Sequence, residues 1–235
     1  MDAQCAILRI MYVMIALISD VHGNFVALQE VLRAIETMGI RQIYSLGDVV
    51  GYYSQVNECC DELRRRGILS LMGNHDWYMV SGTNCPRSRS VNDCLQYQRS
   101  VISHENLEWL SQMPVYRVVD GIHMVHGGWE NPIDEYLSLP VDGYFDKIVG
   151  AFFVSGHSHM QKVVSFNGKT YCNPGSVGQP RDGDNRAAFA TFDGSRFELH
   201  RIAYDYNEVG RLMELAGFSG YYYGCLKKGS RNLQW

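Results

Sequence analysis

The chain has 235 residues, a length typical of one domain, and its 46% apolar and 20% charged residues are ordinary for a globular protein. A net charge of −4 argues against a dedicated nucleic-acid binder or a protein attracted to anionic membranes. The seven cysteines are odd in number and form no Cys-x-x-Cys pair, so they disfavour a disulfide framework and favour a reducing cytoplasm.

The first 19 residues are apolar enough to resemble a signal peptide, but they lack a basic n-region and a small-residue cleavage site. Residues 14–19 instead have the character of a core strand. We therefore expect a single domain over residues 1–235, with residues 1–13 a ragged extension because Met11 or Met14 could equally be the natural start. No run approaches the roughly 18 apolar residues of a transmembrane helix.

The first half of the chain predicts a β-α-β-α-β series. A continuous apolar strand at 14–19 is followed by a helix at 24–38, a strand at 42–46, a helix at 56–66 and a strand at 68–72. Gly39 and Gly67 follow the two helices as expected of C-terminal caps. This order favours a parallel sheet, and polar residues follow each strand at the edge where ligands bind in such sheets.

The second half predicts shorter strands and one helix. The hairpin signals Asp120-Gly121, Asn167-Gly168 and Asp193-Gly194 each separate two of these strands. The strands are expected at 115–119, 122–126, 152–155, 162–166, 170–172, 187–192 and 197–201, and the helix at 208–216. We expect an α/β (α+β) fold, a four-layer α-β-β-α sandwich in which two mixed sheets are flanked by helices, with the hairpins mostly in the second sheet.

Glycine-flanked polar motifs follow five of the predicted strands. They are Asp20-x-His22, Gly47-Asp48, Gly73-Asn74-His75-Asp76, His126-Gly127-Gly128 and Gly156-His157-x-His159. Any one of them could be accidental, and His104, His123 and His200 lie outside such motifs. Gathering so many imidazoles and carboxylates at one edge without a metal would be costly. The mixed oxygen and nitrogen donors suit Mn, Fe, Zn or Ni better than Ca.

The order of these motifs resembles the calcineurin-like metallophosphoesterase superfamily over residues 14–201, and the turn at 173–181 resembles its small single-domain bacterial and archaeal phosphodiesterases. The resemblance implies two divalent metal ions and a metal-bridging hydroxide as nucleophile. It implies that Asp48 bridges the two ions and that His75 is the catalytic residue. The remaining implied ligands are Asp20, His22 and His159 for one ion, and Asn74, His126 and His157 for the other.

One departure from the superfamily concerns the catalytic histidine. Its protein phosphatases carry a second acidic residue soon after the Gly-Asp motif, whereas this chain continues Val49-Val50-Gly51-Tyr52-Tyr53. Asp76 is one alternative for orienting His75, although neighbouring side chains usually point apart. The departure lowers the expectation of a phosphoprotein substrate.

Several substrate contacts stay open at this point. Arg181 is a candidate phosphate contact, and Arg87 and Arg89, within the aperiodic segment 77–90, either hold a second phosphate from a lid or lie on an exposed loop. Tyr52 and Trp129 either stack on a nucleobase or pack in a wall. The tail over residues 218–235 either packs back on the domain or meets another subunit of a homo-oligomer.

The expected function is hydrolysis of a small phosphate-ester substrate, a phosphodiester or nucleotide, in the cytoplasm. One alternative is a phosphomonoesterase, including a protein phosphatase. Another is a catalytically inactive scaffold such as the retromer subunit that shares this fold. Every ligand position and His75 are present, which disfavours the scaffold.

Overall fold

A computed structural model describes residues 13–141 and 143–230 of the chain. The predicted extension lies almost wholly outside these residues, as do the last five residues of the predicted tail. Within the described ranges, no helix is long and apolar enough to cross a membrane.

The first sheet contains the three strands predicted in the first half of the chain. Strands β1 (Ile15–Ile18), β2 (Gln42–Ser45) and β3 (Leu69–Ser70) are parallel, and helices α1 (Phe25–Thr37) and α2 (Val56–Arg65) connect them. The hairpin of β9 (Ala187–Phe192) and β10 (Phe197–Ile202) joins β1 in antiparallel fashion, so the strand order is β10-β9-β1-β2-β3. The sheet is therefore mixed.

The second sheet contains the other two predicted hairpins. Its strands are β4 (Tyr116–Val119), β5 (Ile122–Val125), β6 (Phe152–Val154), β7 (Lys162–Phe166) and β8 (Lys169–Asn173), in the order β4-β5-β6-β8-β7. β5, β6 and β8 are parallel, and the outer strands are antiparallel. The predicted α/β class with two mixed sheets is confirmed.

Strand β1 shows why its sequence is apolar without interruption. Ala16 and Ile18 pack with the helices on one face, whereas Ile15 and Leu17 pack against the second sheet on the other, and all four are buried. Full burial of one such aliphatic side chain contributes about 1.5–3 kcal/mol. The outer face of the second sheet is covered by the long β5–β6 connection, whose Phe145 packs on Phe153 and Tyr171.

Three helices follow β3 that the sequence patterns do not predict: α3 (Asn74–Ser81), α4 (Arg89–Val101) and α5 (His104–Ser111). The segment 77–90 thus ends one helix and begins the next. After α6 (Tyr206–Leu215), the described part of the tail forms a 3-10 helix over Gly224–Lys228. Its Leu226 packs with Tyr53 and Met213, so this part packs back on the domain.

Candidate functional site

The polar residues of the five motifs meet at the carboxyl ends of strands from both sheets. Asp20, Asp48 and Asn74 follow β1, β2 and β3, whereas His126 and His157 follow β5 and β6. All are buried, as are His22 and His159. The motifs therefore converge although their sequence positions span 140 residues.

Two groups of side chains offer donor atoms to common points, and His22 and Asp48 belong with His75 to a third group that connects them. Asp20, His22 and His159 form one group, and Asp48, His126 and His157 form the other; within each group the ligand atoms lie within 4.8 Å of one another. Asp48 Oδ2 lies 3.3 Å from His126 Nε2 and 3.7 Å from His22 Nε2, between the two groups. This is the location expected of a bridging carboxylate.

The unused nitrogen of three of these histidines is bonded to the backbone. His22 Nδ1 lies 2.9 Å from the carbonyl oxygen of Val50, and His126 Nδ1 lies 2.9 Å from that of Leu46. His159 Nδ1 makes the same kind of contact, 2.6 Å from the carbonyl oxygen of Gln179. A carbonyl oxygen accepts a hydrogen bond from a protonated Nδ1, so Nε2 carries the lone pair that a metal could use.

In each of the two carboxylates, the two oxygens likewise have different partners. Asp48 Oδ1 accepts the backbone N–H of His75 at 2.8 Å, and Asp20 Oδ2 accepts that of His157 at 3.1 Å. The second oxygen of each carboxylate faces the histidine nitrogens. One oxygen of each residue thus orients the side chain while the other remains available as a ligand.

Buried atoms without partners provide a test of whether metal ions fit. Asp20 Oδ1, Asn74 Oδ1 and His126 Nε2 are buried and form no hydrogen bond. An unsatisfied buried polar atom costs about 1–3 kcal/mol, so three together at one place are exceptional. All three are atoms that a metal ion would satisfy, and the residues present therefore fit such ions.

The electrostatics of the cluster are strongly perturbed. Although burial opposes it, the adjacent Asp48 raises the pKa of His126 to about 9. Burial lowers the pKa of His157 to about 3 and that of His75 to about 4. Divergent pKa values among neighbouring groups are typical of functional sites.

Glycines of the motifs permit this crowding. A Cβ on Gly73 would lie 2.1 Å from Asp48 Oδ1, and one on Gly156 would lie 2.0 Å from the Ser19 hydroxyl. Both distances are far below van der Waals contact, so a larger residue would displace the carboxylates. The glycines next to the ligands are therefore steric requirements.

Asp76 does not orient His75. Its carboxylate accepts the backbone N–H groups of Asp48, Val49 and Gly73 at 2.7–3.0 Å, and that of Val50 at 3.2 Å. It holds together the two turns that carry Asp48 and Asn74. Burial, with the nearby Asp48, raises the pKa of Asp76 to about 7.

His75 is positioned by packing. Its Nε2 lies 4.0 Å from Asp48 Oδ2, and its ring centroid lies 4.7 Å from that of His22 and 4.9 Å from that of Tyr52. A Cβ on Gly51 would lie 2.3 Å from His75 Nδ1. The Gly51-Tyr52 turn therefore packs closely against the ring of His75, whose buried Nδ1 forms no hydrogen bond.

A cavity of about 570 Å³ opens onto the cluster. Its lining includes Asp48, His75, Arg181 and Tyr52. Arg181 donates to the Tyr52 hydroxyl at 2.9 Å and to Gln179 Oε1 at 3.0 Å. Both predicted contacts therefore lie beside the metal-ligand residues.

The other substrate candidates are distributed differently. Arg87 lines the cavity and is ion-paired with Asp134, whereas Arg89 is exposed and does not line it. Trp129 packs edge-on against Phe145 and Phe153 beneath the second sheet and does not line the cavity. Of the two aromatic candidates, only Tyr52 is placed to meet a substrate.

The cavity has a wall that sequence reasoning did not find. Ser90, Val91 and Cys94 of α4 contribute to it, as does Tyr222 of the tail. These residues lie in no motif, and Tyr222 follows the end of α4 at Val101 by 121 residues (222 − 101). No signal in the sequence joins these two segments.

Comparisons with known proteins agree with the geometry. A family model described as the calcineurin-like phosphoesterase superfamily domain matches residues 13–196. An uncharacterized protein of Methanocaldococcus jannaschii is 37% identical over 216 residues, which cover 82% of this chain and 88% of that protein.

Two further similar proteins have names that state an enzyme class or activity. The crystal structure of a metallophosphoesterase from Sphaerobacter thermophilus has a TM-score of 0.79 and 28% identity, and the match covers 93% of this chain and 99% of that one. A symmetrical bis(5'-nucleosyl)-tetraphosphatase of Paracidovorax citrulli is 29% identical over 119 residues, 47% of this chain and 42% of that protein.

Proposed function

The chain belongs to the calcineurin-like phosphoesterase superfamily, and from that membership we propose that it is a phosphodiesterase that hydrolyses small phosphodiesters or nucleotides at a two-metal centre. The observation that carries the proposal is the pair of neighbouring donor groups, with Asp48 Oδ2 lying between His126 of one group and His22 of the other. Asp20, Asp48, His22, His126 and His159 each have one polar side-chain atom held by the backbone, while their other one faces the neighbouring donor groups.

Asp20, His22 and His159 would hold one ion, Asn74, His126 and His157 the other, and Asp48 would contact both. Ions such as Mn, Fe, Zn or Ni would there neutralise phosphoryl oxygens and lower the pKa of a water molecule between them. The mixed carboxylate, amide and imidazole donors suit these ions.

The protein's own groups would bind the substrate and supply a proton to its leaving group. His75 lies at the cavity surface beside Asp48 and would contact a phosphoryl oxygen and protonate the leaving oxygen. Burial disfavours a charged His75 ring, but an anionic substrate beside it favours the protonated form. Arg181 would donate to another phosphoryl oxygen.

The preference for a diester follows from the cations of the cavity. Of the two arginines that line it among the described residues, Arg87 is neutralised by Asp134, whereas Arg181 is bonded to the neutral Tyr52 and Gln179. A monoester dianion carries one more negative charge than a diester and needs more compensating positive charge. The name of the Paracidovorax citrulli relative supports the nucleotide part of the proposal. The buried free cysteines suit a reducing cytoplasm.

Two chromogenic substrates with the same leaving group test the proposal. With matched metal and pH, kcat/KM for bis(p-nitrophenyl) phosphate should exceed that for p-nitrophenyl phosphate, and chelation should abolish both activities until metal is restored. Asp48→Asn, prepared in parallel, controls for contaminating phosphatases. A reversed ratio would make the protein a phosphomonoesterase, and full activity after exhaustive metal removal would contradict the metal centre itself.

A further inference from the structure

The cavity is larger than a phosphate group requires. Its volume of about 570 Å³ lies within the range of roughly 300–1,000 Å³ that is typical of sites for organic ligands. Beyond the metal-ligand residues it is lined by Cys85, by Val91 and Cys94 of α4, and by Tyr222. The same cavity can therefore receive a phosphoryl group and an organic substituent attached to it.

The wall built by α4 and the tail is uncharged. Val91, Cys94 and Tyr222 carry no ionised group, since burial raises the pKa of Cys94 to about 12 and the Asp93 contact raises that of Tyr222 to about 12. The nearby Arg87 is paired with Asp134. This wall therefore suits a neutral, partly apolar group better than a second phosphate.

The ring of Tyr222 is fixed before any ligand arrives. Its hydroxyl donates to Asp93 Oδ2 at 2.9 Å, and its ring meets the edge of Phe218 at a centroid distance of 4.9 Å. Phe218 in turn packs against Tyr97 of α4 at 5.4 Å. An aromatic wall held in this way loses little conformational entropy when a second ring packs on it.

We propose that Tyr222, Val91 and Cys94 form a subsite for a flat aromatic ring carried by the substrate, of the size of a nucleobase. The inference rests on the proposed function, because the ring must be attached to the phosphate that the metal centre attacks. The tail over residues 218–230 is then part of the active site, and it selects aromatic over small aliphatic esters.

The first experiment varies only the ester arm that does not leave. Bis(p-nitrophenyl) phosphate and methyl p-nitrophenyl phosphate release the same p-nitrophenol, and the ratio of their kcat/KM values reports on the remaining arm. Tyr222→Ala should lower the wild-type preference for the aromatic arm by roughly 2- to 10-fold, the range of an aromatic pair. Tyr222→Phe, which keeps the ring, should retain most of the preference. Tyr116→Ala, which removes a tyrosine outside the cavity, should leave the ratio unchanged.

The second experiment needs no turnover. Adenosine carries a nucleobase but no phosphate, so its binding to the wild type, followed by ligand-observed NMR, tests the subsite without hydrolysis. Binding should weaken in Tyr222→Ala and persist in Tyr116→Ala. If circular dichroism shows that the alanine variant is unfolded, Tyr222→Leu takes its place because it retains an apolar side chain.

The outcomes separate the subsite from the proposed function. Adenosine binding that depends on Tyr222 in a protein that hydrolyses neither diester would support the subsite and contradict the phosphodiesterase. An unchanged diester ratio in the folded variant would overturn the subsite. So would adenosine that fails to bind the wild type or binds the variant equally well.

Discussion

Six non-glycine residues around the candidate metal centre have positive φ angles between 36° and 61°: Asp20, His22, Asp48, Tyr52, His157 and His159. In the described ranges, the other such residues are Asp120 and Asn167, both in hairpin turns that tolerate Asp and Asn. Left-handed backbone at β-carbon-bearing residues is strained, and such strain clusters at functional sites. The turns after the strands thus aim the ligand side chains at the expense of stability.

His22 allows this strain to be measured. Its φ is 55°, and left-handed backbone costs a residue with a Cβ about 1–2 kcal/mol. Glycine avoids that strain, but it lowers the stability of the fold by about 0.4–1 kcal/mol because it gives the unfolded chain more conformational freedom. His22→Gly should therefore be more stable than His22→Ala by roughly 0.5–1 kcal/mol, the reverse of the order in a helix.

Urea denaturation of both variants in chelator would measure this difference, because neither then gains stability from metal. The two substitutions empty nearly the same buried volume, so the backbone dominates the comparison. An alanine variant as stable as the glycine variant would mean that the turn at His22 is not left-handed.

Adjacent residues of one motif are predicted to differ in role. His75→Ala should lower kcat by about 100- to 10,000-fold, the usual contribution of a positioned acid or base, and leave the metal content nearly unchanged. Asn74→Ala removes the buried, unpaired Oδ1 and should lower occupancy at one site. Elemental analysis of the purified variants, together with kcat, distinguishes them. Loss of a metal ion from His75→Ala would exchange the two roles.

At the scale of elements, α4 forms hydrogen bonds with the turn that packs on His75. The Gln98 side chain, fully buried on α4, accepts the N–H of Gly51 at 2.7 Å and donates to the carbonyl oxygens of Gly51 and Tyr53. These bonds hold Tyr52 against the His75 ring. A helix outside the motifs thus fixes the turn that packs on His75.

Gln98→Leu should therefore damage both stability and catalysis. It leaves the N–H of Gly51 and the carbonyl group of Tyr53 without the partner that Gln98 provides, at about 1–3 kcal/mol each, whereas the Gly51 carbonyl keeps its bond from the N–H of Tyr53. We expect a total loss of stability of roughly 3–5 kcal/mol. Gln96→Leu, on the exposed side of the same helix, is the matched control and should change stability by less than about 0.5 kcal/mol. Chemical denaturation and kcat at saturating substrate are the measurements. If kcat is unchanged in folded Gln98→Leu, the turn does not position His75.

The elements predicted correctly share a strong local signal. β1 is apolar throughout because both of its faces are buried, and the hairpins carry Asp-Gly or Asn-Gly turns whose Asp120 and Asn167 have the positive φ expected of them. The predicted boundaries of these elements differ from the observed ones mainly by one or two residues, since strand pairing ends before the apolar run does. The five motifs were visible because each follows such a strand.

The helix α4 lacked that signal. Its buried face consists of Val91, Cys94, Leu95 and Gln98, and only two of these residues are strongly hydrophobic. Gln98 is buried because of the turn it bonds, a relation that sequence periodicity does not express. The wall of the cavity was missed for the same reason: Tyr222 reaches it through tertiary packing on Asp93 and Phe218.

For the molecule as a whole, the candidate centre joins the two sheets. Asp20, Asp48 and Asn74 follow strands of the first sheet, and His126 and His157 follow strands of the second. Asp48 Oδ2 and His126 Nε2, 3.3 Å apart, belong to opposite sheets. An ion bound to both would oppose their separation, because the unfolded chain does not present these ligands together.

Metal should consequently stabilise the fold as well as catalyse. At a free concentration 100 times Kd, one bound ion adds about 2.7 kcal/mol to the free energy of unfolding, and two independent ions add about twice that. Without metal, the imidazoles beside Asp48 hold its pKa well below the usual range despite burial, so the attraction between Asp48 and these imidazoles still contributes to stability.

We therefore expect a folded metal-free protein that melts at a lower temperature. Differential scanning calorimetry with excess Mn²⁺ and with chelator should show the shift in the wild type and a much smaller one in Asp48→Asn. Equal melting temperatures for the metal-loaded and chelated wild type, with activity lost in chelator, would mean that the ions do not tie the two sheets together.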